Sequence, residues 1–229
     1  HDLSEKFPEA IYRKFPPLSD LTEEEIRSVV ALSEKQSATL VGCGSEDTAG
    51  LLRLVRALLC AGGGTLILDA DALNALSHDR DAAAELFLHA KRKVILTPHP
   101  LEFSRLSGED VEEVQLHRME KAVGYAKKTG TTLVLKGAGT VVTDGNACYL
   151  NVTGSSALAT AGSGDVLAGL LAALTAQGVR ATDAAALAVY CHGLAADTLA
   201  REFSTFGVTP SDLPKQIGRE IARLQKDNM

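Results

Sequence analysis

The sequence predicts an α/β protein in which helices cover both faces of a mostly parallel sheet, in three layers. Short apolar strands, glycine-containing turns and helices follow one another in repeating units, and this order is typical of a parallel sheet. The first unit joins a strand at residues 38–41 to the turn Gly42-Cys43-Gly44-Ser45 and a helix at residues 47–61. A length of 229 residues suits a single domain spanning residues 1–229.

The other elements follow from local patterns. Residues 1–20 contain several prolines and little periodicity, so we expect a loop with one short helix. Thr22 and Glu25 form a capping-box pattern that opens a helix ending near residue 35. Asp144-Gly145 is typical of a hairpin turn. Further strands are predicted at residues 65–68, 93–96, 132–135, 141–143 and 148–150, and helices from 73, at 81–91, from 102, and at 111–128, 165–177, 182–203 and 210–225.

Composition excludes several classes of function. The net charge is −6 and the chain has no basic block, which argues against nucleic acid as a main partner. There is no apolar run of about 18 residues, so we expect no membrane span. The four cysteines lack the spacing of a metal site, which favours reduced thiols and a cytoplasmic compartment. Cys60 and Cys191 lie in apolar helical patterns, so we expect both in the core.

Polar or glycine-rich clusters follow four of the predicted strands. They occupy residues 42–44, 69–74, 99–102 and 136–140. In open α/β sheets, ligands bind outside the carboxyl ends of the strands. We therefore expect these clusters to face one crevice, together with the loop at residues 162–165.

The segment Ala159–Gly169 is a small-residue loop that runs directly into an apolar helix. Gly162 and Gly164 allow a sharp turn and a close approach of a ligand to the backbone. The unpaired N–H groups and the dipole of a helix N-terminus favour an anion such as phosphate. Asp165 lies at this junction, where a carboxylate would either cap the helix or remove a proton from a hydroxyl nucleophile.

His99 stands between two prolines that fix its backbone, as expected of a positioned donor, although a strand-end histidine is often a capped surface residue. Glu102 and Arg105 lie on the next turn and are spaced to pair with each other. Buried in an apolar helix, His192 is predicted to be a satisfied core residue.

Lys136 precedes two glycines in the cluster Lys136–Thr140, a pattern that suits nucleotide phosphates but also a simple lead-in to a hairpin. Asp69 and Asp71 offer oxygen ligands for Mg²⁺ through water. They would serve equally as strand-end caps, and we favour that structural role for at least one of them.

Four motifs taken together resemble the NAD(P)H-hydrate dehydratase family, whose members repair nicotinamide nucleotides and have a ribokinase-like fold. The motifs are Leu68–Asn74, Leu96–Phe103, Leu135–Thr140 and Ala159–Gly169, in the order in which the family has them. The resemblance extends over roughly residues 38–200.

The resemblance implies a lyase with a nucleotide-dependent reaction. ADP or ATP, with Mg²⁺, would phosphorylate the C6 hydroxyl of hydrated NADH or NADPH, and loss of phosphate would restore the cofactor. The His-Pro form of the third motif resembles the bacterial, ADP-using branch. We also expect a homo-oligomer with no nucleic-acid or membrane partner. The resemblance assigns catalysis to Asp165, Gly162, Ser163 and Gly164, nucleotide binding to Lys136, Gly137, Ala138, Gly139, Thr140 and Gly164, substrate binding to Gly44, His99, Glu102 and Asp165, and no protein ligand to a metal.

Two features depart from the family pattern. Where the family has Gly-Pro-Gly-Leu-Gly, this chain reads Gly42-Cys43-Gly44-Ser45-Glu46, so Glu46 would bring a negative charge near an anionic substrate. A first strand that the family has before the region of residue 1 finds no match, so we expect a longer natural product. Two alternatives therefore stay open: a small-molecule kinase that stops at phosphorylation, and a divergent homologue that binds without catalysis.

Overall fold

A computed structural model describes residues 7–45 and 48–227 of the chain. Its centre is a six-stranded sheet in which the strands lie side by side in chain order. The first four strands are parallel to one another, and the last two add to them in antiparallel fashion. The strands are β1 (Ala38–Val41), β2 (Thr65–Leu68), β3 (Val94–Leu96), β4 (Thr132–Leu135), β5 (Val141–Thr143) and β6 (Cys148–Leu150).

Ten α-helices belong to the described part of the chain, together with short 3₁₀ helices at Leu18–Asp20 and Ser156–Leu158. The α-helices are α1 (Glu23–Ser33), α2 (Thr48–Cys60), α3 (Asp71–Ser77), α4 (Arg80–Leu88), α5 (Pro100–Ser107), α6 (Val111–Leu116), α7 (Arg118–Thr129), α8 (Ser163–Ala176), α9 (Ala181–Gly207) and α10 (Leu213–Asp227). Within the described ranges, no helix is long and apolar enough to cross a membrane.

Alternate strand residues divide the core into two layers, because successive side chains of a strand point to opposite faces of the sheet. Leu66 and Leu68 of β2 pack in the cluster that contains α1 to α7. Ile67, between them, packs in the cluster formed with α8 and α9. Helices therefore cover both faces, and the predicted three-layer α/β/α class with a mostly parallel sheet and a C-terminal hairpin is confirmed.

All six predicted strands are present, and the predicted helix bounds agree within about four residues except over 111–128. Thr22 and Glu25 form the predicted capping box. The predicted helix at 111–128 is instead two helices, because His117 has the non-helical values φ −122° and ψ 37° and interrupts the helix. The break lets Arg118, the first residue of α7, donate to the carbonyl of Leu135 at the end of β4, at 2.9 Å.

The prediction that Cys60 and Cys191 both lie in the core is confirmed for Cys191 and wrong for Cys60. Cys191 is buried as expected, but Cys60 is exposed because it lies at the last turn of α2, on the outer side of that helix. Helix α9 is regular up to the predicted end near Phe203. Ser204 then has φ 63° and ψ 167°, which are not helical values.

Candidate active site

The N-terminus of α8 presents Asp165 to solvent. The helix begins at Ser163, two residues earlier than predicted, because Gly162 has φ 92° and takes the N-cap position without a side-chain hydrogen bond. Asp165 is consequently the third helical residue and is exposed. The interpretation of Asp165 as the N-cap is therefore wrong, and its carboxylate is available for another role.

Asp69 is the buried centre of the polar cluster at the strand ends. Its Oδ1 accepts hydrogen bonds from Lys136 Nζ and from Thr97 Oγ1, both at 2.8 Å. Only 2% of the Asp69 side chain is exposed, against 20% for Lys136. The ends of β2, β3 and β4 are thus joined by one carboxylate, and Asp69 has the structural role that we favoured for at least one aspartate of this cluster.

Lys136 also approaches the N-terminus of α8. A β-carbon placed on Gly164 would lie 3.5 Å from Lys136 Nζ, so the ammonium group is close to the start of the helix. The first N–H groups of a helix have no intrahelical acceptor. Here Ser163 N–H donates to the Thr160 carbonyl at 3.2 Å, whereas the N–H groups of Gly164 and Asp165 have no backbone acceptor in the described part of the chain. The lysine and these two donors lie at the same helix terminus, which is an arrangement suited to phosphate oxygens.

Cys43 lies between the two carboxylates of the site. Its Sγ is 3.7 Å from Asp69 Oδ2. Single donor atoms of Cys43, Asp69 and Asp165 all lie within 4.8 Å of one another. Burial, with the negative charges of both aspartates, raises the pKa of the Cys43 thiol to about 12. The thiol is therefore protonated at neutral pH.

His99 and Glu102 form a capping box at the start of α5. The Glu102 carboxylate accepts from the His99 backbone N–H at 2.8 Å, and His99 Nδ1 accepts from the Glu102 N–H at 3.2 Å. Burial lowers the pKa of His99, and the positive charge of Lys136 adds to this effect. Glu102 is only 5% exposed, so the structure places it behind His99 rather than in the crevice.

The other acidic and basic residues of these clusters have local partners. Arg105 donates to Asn74 Oδ1 at 3.0 Å, so this hydrogen bond joins α5 to α3. Asp71 Oδ2 accepts from the backbone N–H of Ser45 at 3.0 Å and so anchors the turn that holds Gly44. Gly44 itself is exposed and has φ 63°. Glu46, for which we predicted a repulsive effect, lies outside the described residues.

Arg118, a residue that the sequence analysis did not single out, holds the start of the loop 136–140 through two hydrogen bonds. Its guanidinium donates to the carbonyl of Leu135 at 2.9 Å and to that of Lys136 at 3.1 Å. Gly137 lies so close to this guanidinium that a β-carbon there would be 3.1 Å from its nitrogens. Arg118 has the spacing of a surface residue in the amphipathic pattern of α7, so no sequence signal marks this role.

A cavity of about 470 Å³ opens beside this loop. Its apolar wall includes Leu116, Met119 and Leu150, and it borders Ala138 and Gly139. A second cavity, of about 560 Å³, lies between α4, α5 and α7 and has none of the predicted site residues in its lining. The charged and glycine-rich groups converge instead on the strand-end crevice.

His192 lies behind the α8 terminus and contacts the Ser163 backbone. It is 5% exposed, as predicted, but its Nε2 has no hydrogen-bond partner among the described residues, so it is not a satisfied core histidine. Burial lowers its pKa to about 4. The imidazole is therefore neutral at physiological pH.

The geometry can be compared with known proteins. Residues 2–219 match the family described as NAD(P)H-hydrate dehydratase. The chain belongs to that family. All four motifs that suggested the resemblance lie within the matched residues.

Individual relatives agree with the family match. The chain is 35% identical to a bifunctional NAD(P)H-hydrate repair enzyme of Thermofilum pendens, over 98% of this chain and 43% of that protein. It is 38% identical to an ADP-dependent (S)-NAD(P)H-hydrate dehydratase of Neisseria meningitidis, over 81% of this chain and 63% of that one. The chain thus spans less than two thirds of the length of either relative.

A solved structure supports the fold assignment. The ADP/ATP-dependent NAD(P)H-hydrate dehydratase of Bacillus subtilis, co-crystallised with ATP and Mg²⁺, superposes with a TM-score of 0.77 and 29% identity. The match covers 96% of this chain and 74% of that one. The predicted ribokinase-like fold is confirmed.

Proposed function

We propose that this protein dehydrates the hydrated forms of NADH and NADPH at the expense of ADP or ATP. The observation that carries the proposal is the exposed Asp165 carboxylate at the N-terminus of α8, next to free backbone donors and Lys136. A carboxylate would repel phosphate at such a terminus unless it acts on a proton there. Family membership and the names of the relatives supply the substrate class.

The adenine nucleotide would bind along the loop 136–140 and at Gly164. The Lys136 ammonium and the first N–H groups of α8 suit its phosphates. The cavity of about 470 Å³ next to Ala138 and Gly139 has an apolar wall that suits a flat base. A side chain at position 164 would point at Lys136, with its β-carbon in ordinary contact, 3.5 Å from Nζ.

Asp165 would act as general base on the C6 hydroxyl of the hydrate. As the hydroxyl oxygen bonds to the terminal phosphorus, its proton passes to the carboxylate and the phosphorus–oxygen bond to the leaving nucleotide breaks. The N–H groups of Gly162 and Gly164 would stabilise the negative charge of the transferring phosphoryl group. The Ser163 N–H, which the resemblance also assigned to this role, instead donates to the Thr160 carbonyl at 3.2 Å. Loss of phosphate from C6 and of a proton from the ring then restores the reduced nicotinamide.

Mg²⁺ would offset phosphate charge when it accompanies the nucleotide. The residues present fit a metal held by phosphate oxygens and water, since Asp69 Oδ1 is already bonded to Lys136 and Thr97.

The hydrate would contact Gly44 and His99, which face the crevice from the ends of β1 and β3. Glu102 would act on the substrate only through His99, whose backbone it holds. A cytoplasmic homo-oligomer is part of the same proposal, as is a single domain over the whole chain.

Turnover of hydrated NADH with ADP or ATP tests the proposal, because the product absorbs at 340 nm and the hydrate does not. We expect an absorbance increase that requires both the nucleotide and Mg²⁺. A stable phosphorylated product with no absorbance change would favour the small-molecule kinase. If neither product forms although the protein binds ADP, a non-catalytic homologue is favoured.

A further inference from the structure

Cys43 gives the active site a donor that its Mg²⁺ chemistry does not use. Three potential ligands, the Cys43 thiol and the carboxylates of Asp69 and Asp165, come from three different elements and lie within 4.8 Å of one another. A thiolate is a soft ligand that selects zinc-like metals, whereas Mg²⁺ prefers oxygen. The chain has this donor where the family pattern has proline.

Asp69 is already oriented for such a role. Its Oδ1 is held by Lys136 and Thr97 at 2.8 Å each, while Oδ2 faces Cys43 Sγ at 3.7 Å. Carboxylate ligands of protein metals are commonly fixed in this way by outer hydrogen bonds. The buried carboxylate therefore keeps one oxygen for its structural partners and directs the other toward the thiol.

We propose that Cys43, Asp69 and Asp165 form a site for a Zn²⁺-like divalent cation that inhibits the enzyme. A tetrahedral zinc with sulfur at ~2.3 Å and oxygen at ~2.0–2.2 Å keeps its ligand atoms about 3.5 Å apart. The three donors reach this spacing from 4.8 Å by small side-chain movements, and exposed Asp165 is free to make the largest one. The fourth ligand is water.

Charge and proton count both balance at this site. The Cys43 proton is released to solvent as the sulfur–metal bond forms, so each metal bound displaces one proton from the thiol. Two carboxylates and one thiolate then compensate the dication and the Lys136 ammonium. No oxidant or reductant takes part.

Inhibition follows from the position of Asp165 and rests on the proposed function. Once its oxygen is a metal ligand, the carboxylate no longer accepts the proton of the C6 hydroxyl. Metal binding itself does not depend on that reaction, so the two claims fail separately.

Titration of the nucleotide-free chain with Co²⁺ tests the site directly, because Co²⁺ reports a thiolate ligand by a charge-transfer band in the near ultraviolet. We expect one equivalent to bind with that band. Cys43→Ser should abolish the band, and Asp165→Asn should weaken binding at least tenfold. Cys60→Ser is the matched control, since this exposed cysteine lies away from the cluster, and it should leave the band unchanged.

A band that persists in Cys43→Ser, or wild-type protein without any band, overturns the site. Thermal melts show whether Cys43→Ser is folded, and Cys43→Ala repeats the test if it is not. In the 340 nm assay, Zn²⁺ should inhibit the wild type, and a chelator should restore the rate. Zn²⁺ should inhibit Cys43→Ser much less, when the rate of that variant is compared with its rate without zinc. Binding without inhibition would overturn the regulatory part alone, and an inactive wild type that still shows the band would overturn only the proposed function.

Discussion

Replacing Asp165 by asparagine separates proton transfer from helix capping. The variant keeps the shape of the side chain but accepts a proton far less readily. Asp165 is the third residue of α8, and Gly162 is the N-cap, so no capping hydrogen bond is lost. Loss of the favourable interaction of an acidic residue with the helix dipole should cost roughly 0.3–1 kcal/mol of stability, and the asparagine oxygen can still accept the hydrogen bond of the Cys43 thiol.

The effect on the rate should be much larger. General bases typically contribute about 10²–10⁴-fold, which corresponds to roughly 3–5 kcal/mol of activation free energy. Nucleotide affinity should stay the same or increase, because a negative charge next to the phosphates is removed. The assay combines initial rates at 340 nm with thermal melts in the presence and absence of ADP and Mg²⁺. A rate within about threefold of wild type would remove Asp165 from the proposed chemistry, and a lost ligand-induced melt shift would indicate a damaged nucleotide site instead.

Four further predictions follow from the described contacts and from the sequence. Gly42→Ala should lower the free energy of unfolding by roughly 1–3 kcal/mol or more, because φ is 120° and the new β-carbon would overlap the Asp69 carbonyl; Gly62→Ala, in open space, is the control in urea titrations. Lys136→Met should destabilise the protein by about 3 kcal/mol, because it leaves the buried Asp69 carboxylate unpaired, and it should abolish nucleotide-induced melt shifts; equal stability in urea would show that Asp69 finds another partner. Folding lowers the pKa of His192 from an ordinary value of 6.5 to about 4, so the free energy of unfolding should keep its full value above pH 6.5 and decrease by on the order of 3 kcal/mol as the pH falls from 6.5 to 4. The free energy of unfolding of His192→Gln should decrease less over the same range, and parallel curves would contradict the assignment. Glu46→Gly should lower the KM for the hydrate and leave nucleotide affinity alone, and an unchanged KM would mean that the Glu46 charge does not act on the substrate.

The sequence alone determined the class of the fold and the placement of its chemistry. Short apolar runs such as Leu66–Leu68, bounded by turn residues, are typical of strands buried on both faces of a sheet, so the parallel strands and their covering helices follow from local pattern. The clusters also placed Lys136 and His99 at one edge, because the carboxyl ends of parallel strands share an edge. Asp165 follows no parallel strand, and its position beside Cys43 and Asp69 comes from the packing of α8.

Only the tertiary structure decided what each side chain does within that crevice. Whether Asp165 caps α8 depends on where that helix begins. The helix begins at Ser163, two residues before Asp165, because Gly162 has a positive φ and takes the N-cap position. Glu102 turned inward to hold His99, because its carboxylate meets that backbone N–H once α5 has formed. Arg118 supports the loop from 17 residues away in sequence, and Cys43 meets Asp69 from 26 residues away. Such contacts depend on how separate elements pack, and a local pattern of residues carries no record of them.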